Sequence, residues 1–374
     1  FGTIGCCDGV AQGHIGMNFI LPSREIIANS VEIMVQAHRL DGIVLLCSCD
    51  KIVPGMLMAA ARLDIPAIVC VGGPMLGGIV FDGRKSDLTS IDEAKGMVAT
   101  GAISNDEYKS LENTACPGCG SCSFLGTANS MCCLSEALGM SLPGSALIPA
   151  PYGERLASSF KAGRQIVDLV NKGINARQVI TKESMRNAIK VMMAICGSTN
   201  AVLHLAAIAN EADLDMNVVE EFRELNKVTP QIAKVNPAAK WDMEDFYKAG
   251  GIPRVMTRLG NLLDPSCLTC TGKTVKANLE GFHYQYPDNP EIIKIDRTFT
   301  ANDVADEKEY YLLKQCCEMI HRLGLKICIE GVENEEEWAK IKKLKPEYCQ
   351  GFYWGKPCEY DDFIRQFVDK AQNK

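Results

Sequence analysis

Cys49-Asp50-Lys51 stands at the end of a short apolar run, GIVLLCSC at residues 42–49, whose composition predicts a buried parallel strand. Ligands of open α/β sheets bind beyond the carboxyl ends of such strands. A thiolate, a carboxylate and an amine there offer a soft-metal ligand, a hard-metal ligand and a titratable nitrogen. A buried structural cysteine beside an exposed Asp–Lys pair fits the same spacing. A second constellation is ACPGCGSCSFLGTAN, with Cys116, Cys119 and Cys122 at three-residue intervals among glycines. C-x-x-C-x-x-C in a glycine-rich loop lets thiolates converge, as iron–sulfur and zinc sites require. The chain has five histidines and none in this loop, so zinc would need all-cysteine ligation. Three cysteines lining a tight loop is the structural alternative.

Two further segments carry weaker signals. In GCCDGVAQGHIGMN, Asp8 is a hard-metal ligand or a turn aspartate, glycines permit close backbone approach, and His14 reads as a structural histidine. In ICGSTN, backbone N–H groups and the hydroxyls of Ser198 and Thr199 could hold a carboxylate at the start of a helix near Val202. Either residue could equally be a helix N-cap.

These residues need a frame. IPAIVCVGG at 65–73 supplies a second buried strand after a helical MLMAAARL, completing a strand–helix–strand unit. Helical stretches follow around 123–139, 153–172, 182–195 and 200–211. The expected fold class is α/β, a layered parallel-sheet domain with a helix-rich second half. Composition changes near residue 293. Residues 1–293 are 19% charged and hold 14 of the 15 methionines, whereas residues 294–374 are 37% charged and hold 4 of the 32 glycines. The tail predicts a strand near 292–296, a helix over 305–322, a strand over 325–330, a helix over 334–343, a strand over 347–353 and a helix over 360–372. No linker composition marks the join.

A net charge of −7, from 39 basic and 46 acidic side chains, argues against a nucleic-acid partner. No apolar run is long enough to span a bilayer, so no membrane partner is expected. The first residues show no export signal, and without an initiator Met they read as a mature or truncated start. Eighteen cysteines spread along such a chain favour reduced, buried thiols over a disulfide framework, and the cytoplasm as compartment.

Together CDGVAQGHIGMNFILPSREIIANSVEIMVQAH, CDKIVPGMLMAA, ACPGCGSCSFLGTANSM, GSTNAVLHLAA, MEDFYKAGGIP and LTCTGKTVKANLEG resemble the dihydroxy-acid dehydratase and phosphogluconate dehydratase family, in the family's order, over residues 1–293. The SREIIANSVE and MEDFYKAGGIP strings lean toward the dihydroxy-acid branch; a sugar-acid dehydratase is the alternative. The resemblance implies a hydro-lyase of branched-chain amino-acid biosynthesis that converts a small 2,3-dihydroxy acid to a 2-keto acid. It implies an iron–sulfur cluster on Cys49 and Cys122, and Mg²⁺ on Asp8, Asp50 and Lys51, the lysine as its carbamate. A carbamate is a hard oxygen donor, which an amine is not. A homodimer is the implied assembly. The family's C-terminal domain, with a further magnesium ligand and the serine that serves as base, has no match in residues 294–374. The catalytic base is therefore unassigned, and the active site of this truncated chain is expected to be incomplete.

The tail resembles the last third of an EAL-type cyclic-di-GMP phosphodiesterase barrel through KIDRTF, LGLKICIEGVENEEEW and YCQGFYWGKP. Lys294, Glu330 and Gln350 fall where that family has catalytic or nucleotide-site residues, near strand ends as barrel sites demand. Three βα units cannot close a TIM barrel, so an inert remnant is expected. The join reads as a chimera of two partial families. The alternative outside enzymology is a non-catalytic chimera with a cyclic-di-GMP-related tail.

Overall fold

In a computed structural model the described residues are 1–293, 328–330, 335–346 and 348–350. The chain divides into two compact units, Phe1–Lys294 and Ile295–Lys374.

The first unit opens with a short helix α1 (Asp8–Ala11), a 3₁₀ turn (Ile15–Phe19) and the long α2 (Ile20–His38). Strand β1 (Ile43–Cys47), helix α3 (Ile52–Leu63) and strand β2 (Ala67–Val71) form the expected strand–helix–strand unit. The strands pair in parallel from Ile43↔Ala67 to Cys47↔Val71, and every residue of β2 is buried. A small hairpin, β3 (Val80–Phe81) with β4 (Arg84–Lys85), precedes α4 (Leu88–Thr100) and α5 (Asn105–Thr114). The rest is helical: α6 (Thr127–Ala137), α7 (Gly153–Lys172), α8 (Ala176–Val179), α9 (Lys182–Ala194), α10 (Asn200–Glu211), α11 (Val218–Asn226), α12 (Met243–Lys248), α13 (Gly251–Leu259) and α14 (Val275–Glu280). The unit is thus helix-rich around a small parallel sheet. Ile293 bridges to Ala233 where a strand near 292–296 was expected; Lys294 and the residues after it to 327 lie outside the described residues.

The helices start where side chains can satisfy their open N–H groups. Asp87 accepts from Thr89 (2.7 Å) and Ser90 (3.2 Å) at the head of α4, and Thr181 accepts from Ser184 at the head of α9. His14 is likewise local: its Nδ1 accepts from the Gly16 N–H at 3.0 Å.

The core is set by α3 and α6. Ten of the twelve residues of α3 are buried, as its unbroken VPGMLMAAA run requires. It packs against α2 and α10. A Cβ on Gly55 would lie 2.9 Å from the Arg24 carbonyl oxygen, so glycine allows this close approach of α3 to α2. Helix α6 is buried along its whole length. Its polar side chains are spent on neighbouring loops, which matters for the site below.

Glu136 on α6 accepts hydrogen bonds from the backbone N–H groups of Gly144 (2.7 Å) and Ala146 (2.8 Å). Burial nevertheless pushes its carboxyl up to about 7. The folded chain holds this proton more tightly than the unfolded chain does, so the group's contribution is complete below about pH 4.5 and is lost as pH rises through about 7. Glu136→Gln is therefore expected to gain on the wild type by on the order of 3 kcal/mol across that interval. Urea unfolding at either end checks this; a pH-independent difference would contradict it.

In the second unit, β5 (Cys328–Glu330) pairs in parallel with β6 (Tyr348–Gln350), and helix α15 (Glu335–Ile341) lies between them in sequence. These fall within the strands expected at 325–330 and 347–353 and the helix at 334–343. The register sets Glu330 opposite Gln350 at the ends of the two strands. The helices expected at 305–322 and 360–372 lie outside the described residues.

Candidate active site

The loop after β1 turns sharply. Cys49 adopts φ +79°, a left-handed conformation that costs a non-glycine residue roughly 1–2 kcal/mol. Beyond it, Lys51 caps α3, so Asp50 sits beside the positive end of that helix. Asp50 is 2% exposed and its Oδ1 pairs with the Lys51 ammonium, also buried. His204, on α10 and fully buried, brings Nε2 to 3.4 Å from the same oxygen. Arg24 of α2 approaches the other ring nitrogen of His204 at 3.2 Å. Burial works against an ionised Asp50, but contacts from His204 and Lys51 outweigh it and hold the carboxyl down at about 2. His204 itself is held below its ordinary range, chiefly by burial.

Asp8 heads α1 beside the Asp50 carboxyl. Burial and then this neighbour raise the Asp8 carboxyl above its ordinary value. Two neighbouring carboxylates form a ready hard-oxygen site for a divalent cation. The ligand atoms of Cys7, Asp8 and Cys49 all lie within 4.8 Å of one another. Burial pushes the Cys49 thiol up to about 11 and the Cys122 thiol up to about 12.

Helix α6 fixes the other wall. Asn129 donates to the Phe124 carbonyl at 2.7 Å and to the Cys122 carbonyl, and accepts from Ser121 Oγ at 2.7 Å. One buried amide thereby clamps the loop that carries Cys122. Gly120 is needed there: at φ +130°, a Cβ would lie 2.4 Å from the Met75 nitrogen. Ser130 Oγ accepts from the Ser198 N–H at 2.8 Å, and Thr127 Oγ1 meets Ser198 Oγ at 2.8 Å. Thr199 precedes α10 without a side-chain capping bond, and Ser198 Oγ accepts from Asn200 N at 3.4 Å. A cavity of about 400 Å³ results, lined by Asp8, Cys122, Thr127, Ser198 and Thr199 among others. That volume suits a small metabolite.

The structure brings Asp8, Cys49, Asp50, Lys51, Cys122, Ser198 and Thr199 into one region. Cys116 and Cys119 are exposed, so the cysteines of C-x-x-C-x-x-C differ, and Cys122 is the one that lines the cavity. Glu330 and Gln350 belong to the second unit, and Lys294 lies outside the described residues. Sequence reasoning missed Cys7, Thr127 and His204. The doublet CCD was a signal for Cys7. His204 follows Asn200 by four residues, one helical turn below the loop.

The dihydroxy-acid/6-phosphogluconate dehydratase N-terminal family matches residues 1–278. The chain belongs to this dehydratase family. The EAL domain matches residues 276–357, so both resemblances seen in the sequence are present and meet near residue 277. The dihydroxy-acid dehydratase of Halothermothrix orenii is 52% identical over 286 residues, 76% of this chain and 52% of that protein. That of Pyrococcus furiosus is 52% identical over 277 residues, 74% of this chain and 50% of that protein. That of Ruminiclostridium cellulolyticum is 47% identical over 304 residues, 80% of this chain and 54% of that protein. The chain spans about half the length of these dehydratases. Among the described residues no helix is long and apolar enough to cross a membrane.

Proposed function

We propose that residues 1–293 form the metal-binding part of a dihydroxy-acid dehydratase, a hydro-lyase that converts a 2,3-dihydroxy acid to a 2-keto acid in branched-chain amino-acid biosynthesis. The observation that carries this reading is the meeting of a thiol site and a carboxylate site beside one cavity. Soft thiolates suit iron–sulfur and hard carboxylates suit Mg²⁺. Cys49 and Cys122 would hold the cluster; Asp8, Asp50 and Lys51, as its carbamate, would hold Mg²⁺. When bound, these groups supply Lewis acidity at the departing 3-hydroxyl and at the substrate's carboxylate and 2-hydroxyl.

The chain's own residues orient the substrate. The hydroxyls of Ser198 and Thr199, at the N-terminal end of α10, hydrogen-bond the substrate carboxylate, and the Thr127–Ser198 contact fixes the angle of one of them. The raised Asp8 carboxyl would have to be ionised to serve as a hard oxygen ligand. His204, itself held by Arg24, keeps Asp50 ionised and in place. No residue of this chain is assigned as the base that takes the C2 proton. The assembly is a homodimer in the cytoplasm, and residues 294–374 are a partial EAL-like segment without catalytic work.

The test is turnover of 2,3-dihydroxyisovalerate by the full chain after anaerobic reconstitution with iron, sulfide and Mg²⁺. A 2-keto acid is the expected product. A loaded chain that dehydrates a sugar acid and leaves the branched-chain substrate untouched would favour the sugar-acid branch instead.

A further inference from the structure

Glu154, Ala157, Ser158 and Lys161 form one face of α7 and line a second cavity, of about 250 Å³. It shares no lining residue with the cavity beside Asp8. Its apolar lining includes Leu147, Ile148, Ile252 and Phe282. Three polar groups there have capacity to spare. The Tyr247 hydroxyl donates to Glu154 Oε2, and the other oxygen of that carboxylate has no partner among the described residues. Ser158 is only 7% exposed, yet neither its hydroxyl nor the Lys161 ammonium has a hydrogen-bond partner among the described residues. Glu136, the other carboxyl at this cavity, is already occupied by the N–H groups of Gly144 and Ala146. The first turn of α13 also lines the cavity, and no side chain caps that helix. The aromatic wall is held in place. A Cβ on Gly144 would lie 2.6 Å from the Phe282 ring, so glycine seats that ring. Arg254 stacks on Tyr284 at 3.7 Å, and Tyr247 and Tyr286 stand edge to face at 5.7 Å.

We propose that this cavity binds a free α-amino acid with an apolar side chain. Glu154 is the partner of the ammonium, and the rings of Tyr247 and Tyr286 beside it add cation–π attraction. The carboxylate lies one helical turn further along α7, at Ser158 and Lys161, where the uncapped start of α13 adds partial positive charge. Side chains four residues apart on a helix stand about 5–6 Å apart at Cβ. Glu154 and Ser158 are therefore spaced to bracket a single carbon that bears both charges. The surface of Leu147, Ile148, Ile252 and Phe282 takes the apolar side chain. A ligand with one charge alone would leave Glu154 or Lys161 unanswered. The cavity is smaller than those that hold drug-sized ligands, and one amino acid fills it. None of the residues assigned above to metal or substrate takes part, so the inference does not depend on the dehydratase reading.

The experiment titrates the full chain by calorimetry and follows its melting midpoint, before any iron, sulfide or Mg²⁺ is added. The probes are L-leucine, isopentylamine, which lacks the carboxylate, and isocaproate, which lacks the ammonium. L-leucine is expected to bind once per chain, and each analogue at least roughly tenfold more weakly, because one set of charge-assisted hydrogen bonds is lost. Glu154→Gln and Lys161→Met are each expected to weaken L-leucine binding roughly tenfold. Far-ultraviolet circular dichroism reports whether each variant folds, and the comparison of probes on the wild type needs no variant. Binding heat and melting midpoint both unmoved by L-leucine, up to about 10 mM, overturn the inference. Isopentylamine or isocaproate binding as tightly as L-leucine overturns it in favour of a site for a single charge. Unchanged L-leucine affinity in either folded variant overturns it by placing the ligand elsewhere. Each of these failures leaves the dehydratase reading standing, since that reading is tested by turnover and metal content.

Discussion

Cys49→Ala yields a colourless chain that retains neither iron nor sulfide after anaerobic reconstitution, while its fold survives. Both halves of this expectation follow from local structure. Cys49 occupies a left-handed position at φ +79°, and alanine bears the same backbone cost as cysteine there. The side chain is half-buried rather than packed in the core, so truncation leaves little cavity and costs about 1 kcal/mol or less. What is removed is the thiol nearest to Cys7 and Asp8. Strain at a non-glycine residue beside a cavity is retained where a side chain has to be aimed. Here it turns the thiol away from the β1 strand line and toward the site. Iron and sulfide analysis with a visible spectrum checks the first half, and urea unfolding the second. Full cluster content in Cys49→Ala would sink the thiol assignment.

Asp50→Ala is expected to be damaging in a different way, through stability as well as chemistry. The pair of Asp50 and Lys51 is buried, with Asp50 at 2% exposure. Removing one partner strands the other charge, which typically costs about 3–5 kcal/mol. His204, fully buried, loses the oxygen at 3.4 Å from its Nε2 as well. The pH dependence has a definite sign. Asp50 is held at about 2, below its ordinary 3.8. Its contribution is therefore present above the ordinary value and lost as pH falls through the folded one. The stability gap between wild type and Asp50→Ala should narrow as pH drops from about 5 toward 2. Turnover should vanish at every pH, because a hard oxygen ligand is gone. A constant gap across acid pH, or a gap near zero at neutral pH, would contradict the buried pair.

Much of this frame was legible in the sequence because it rests on local pattern. The apolar runs at 42–49 and 65–73 become β1 and β2, and the helices expected at 153–172, 182–195 and 200–211 appear with ends shifted by at most one residue. Asp8, Cys49, Asp50, Lys51 and Cys122 stood out by residue type and by motif. What could not be read was which segments would meet. A C-x-x-C-x-x-C loop looks equivalent at its three cysteines; Cys122 differs because Asn129, on the following helix, clamps its carbonyl, while Cys116 and Cys119 stay exposed. His204 reaches Asp50 across 154 residues, through the packing of α10 on α3. Helical periodicity makes His204 another residue of an amphipathic helix; tertiary packing alone sets it against a carboxylate. The size of the sheet was also hidden. Of the two strands expected to be buried, β2 is buried throughout whereas β1 leaves Leu46 exposed, and the sequence marks strands without marking how many neighbours each will have.

The central claim is that residues 1–293 assemble a dehydratase metal site in this chain. The most direct measurement is the iron and acid-labile sulfide content of the anaerobically purified full chain, read with its visible spectrum and beside Cys49→Ala. Stoichiometric iron and sulfide in the wild type, absent from the variant, is the predicted result. A wild type that stays colourless and iron-free after reconstitution would contradict it, leaving a chain that keeps the family's fold without its metal chemistry.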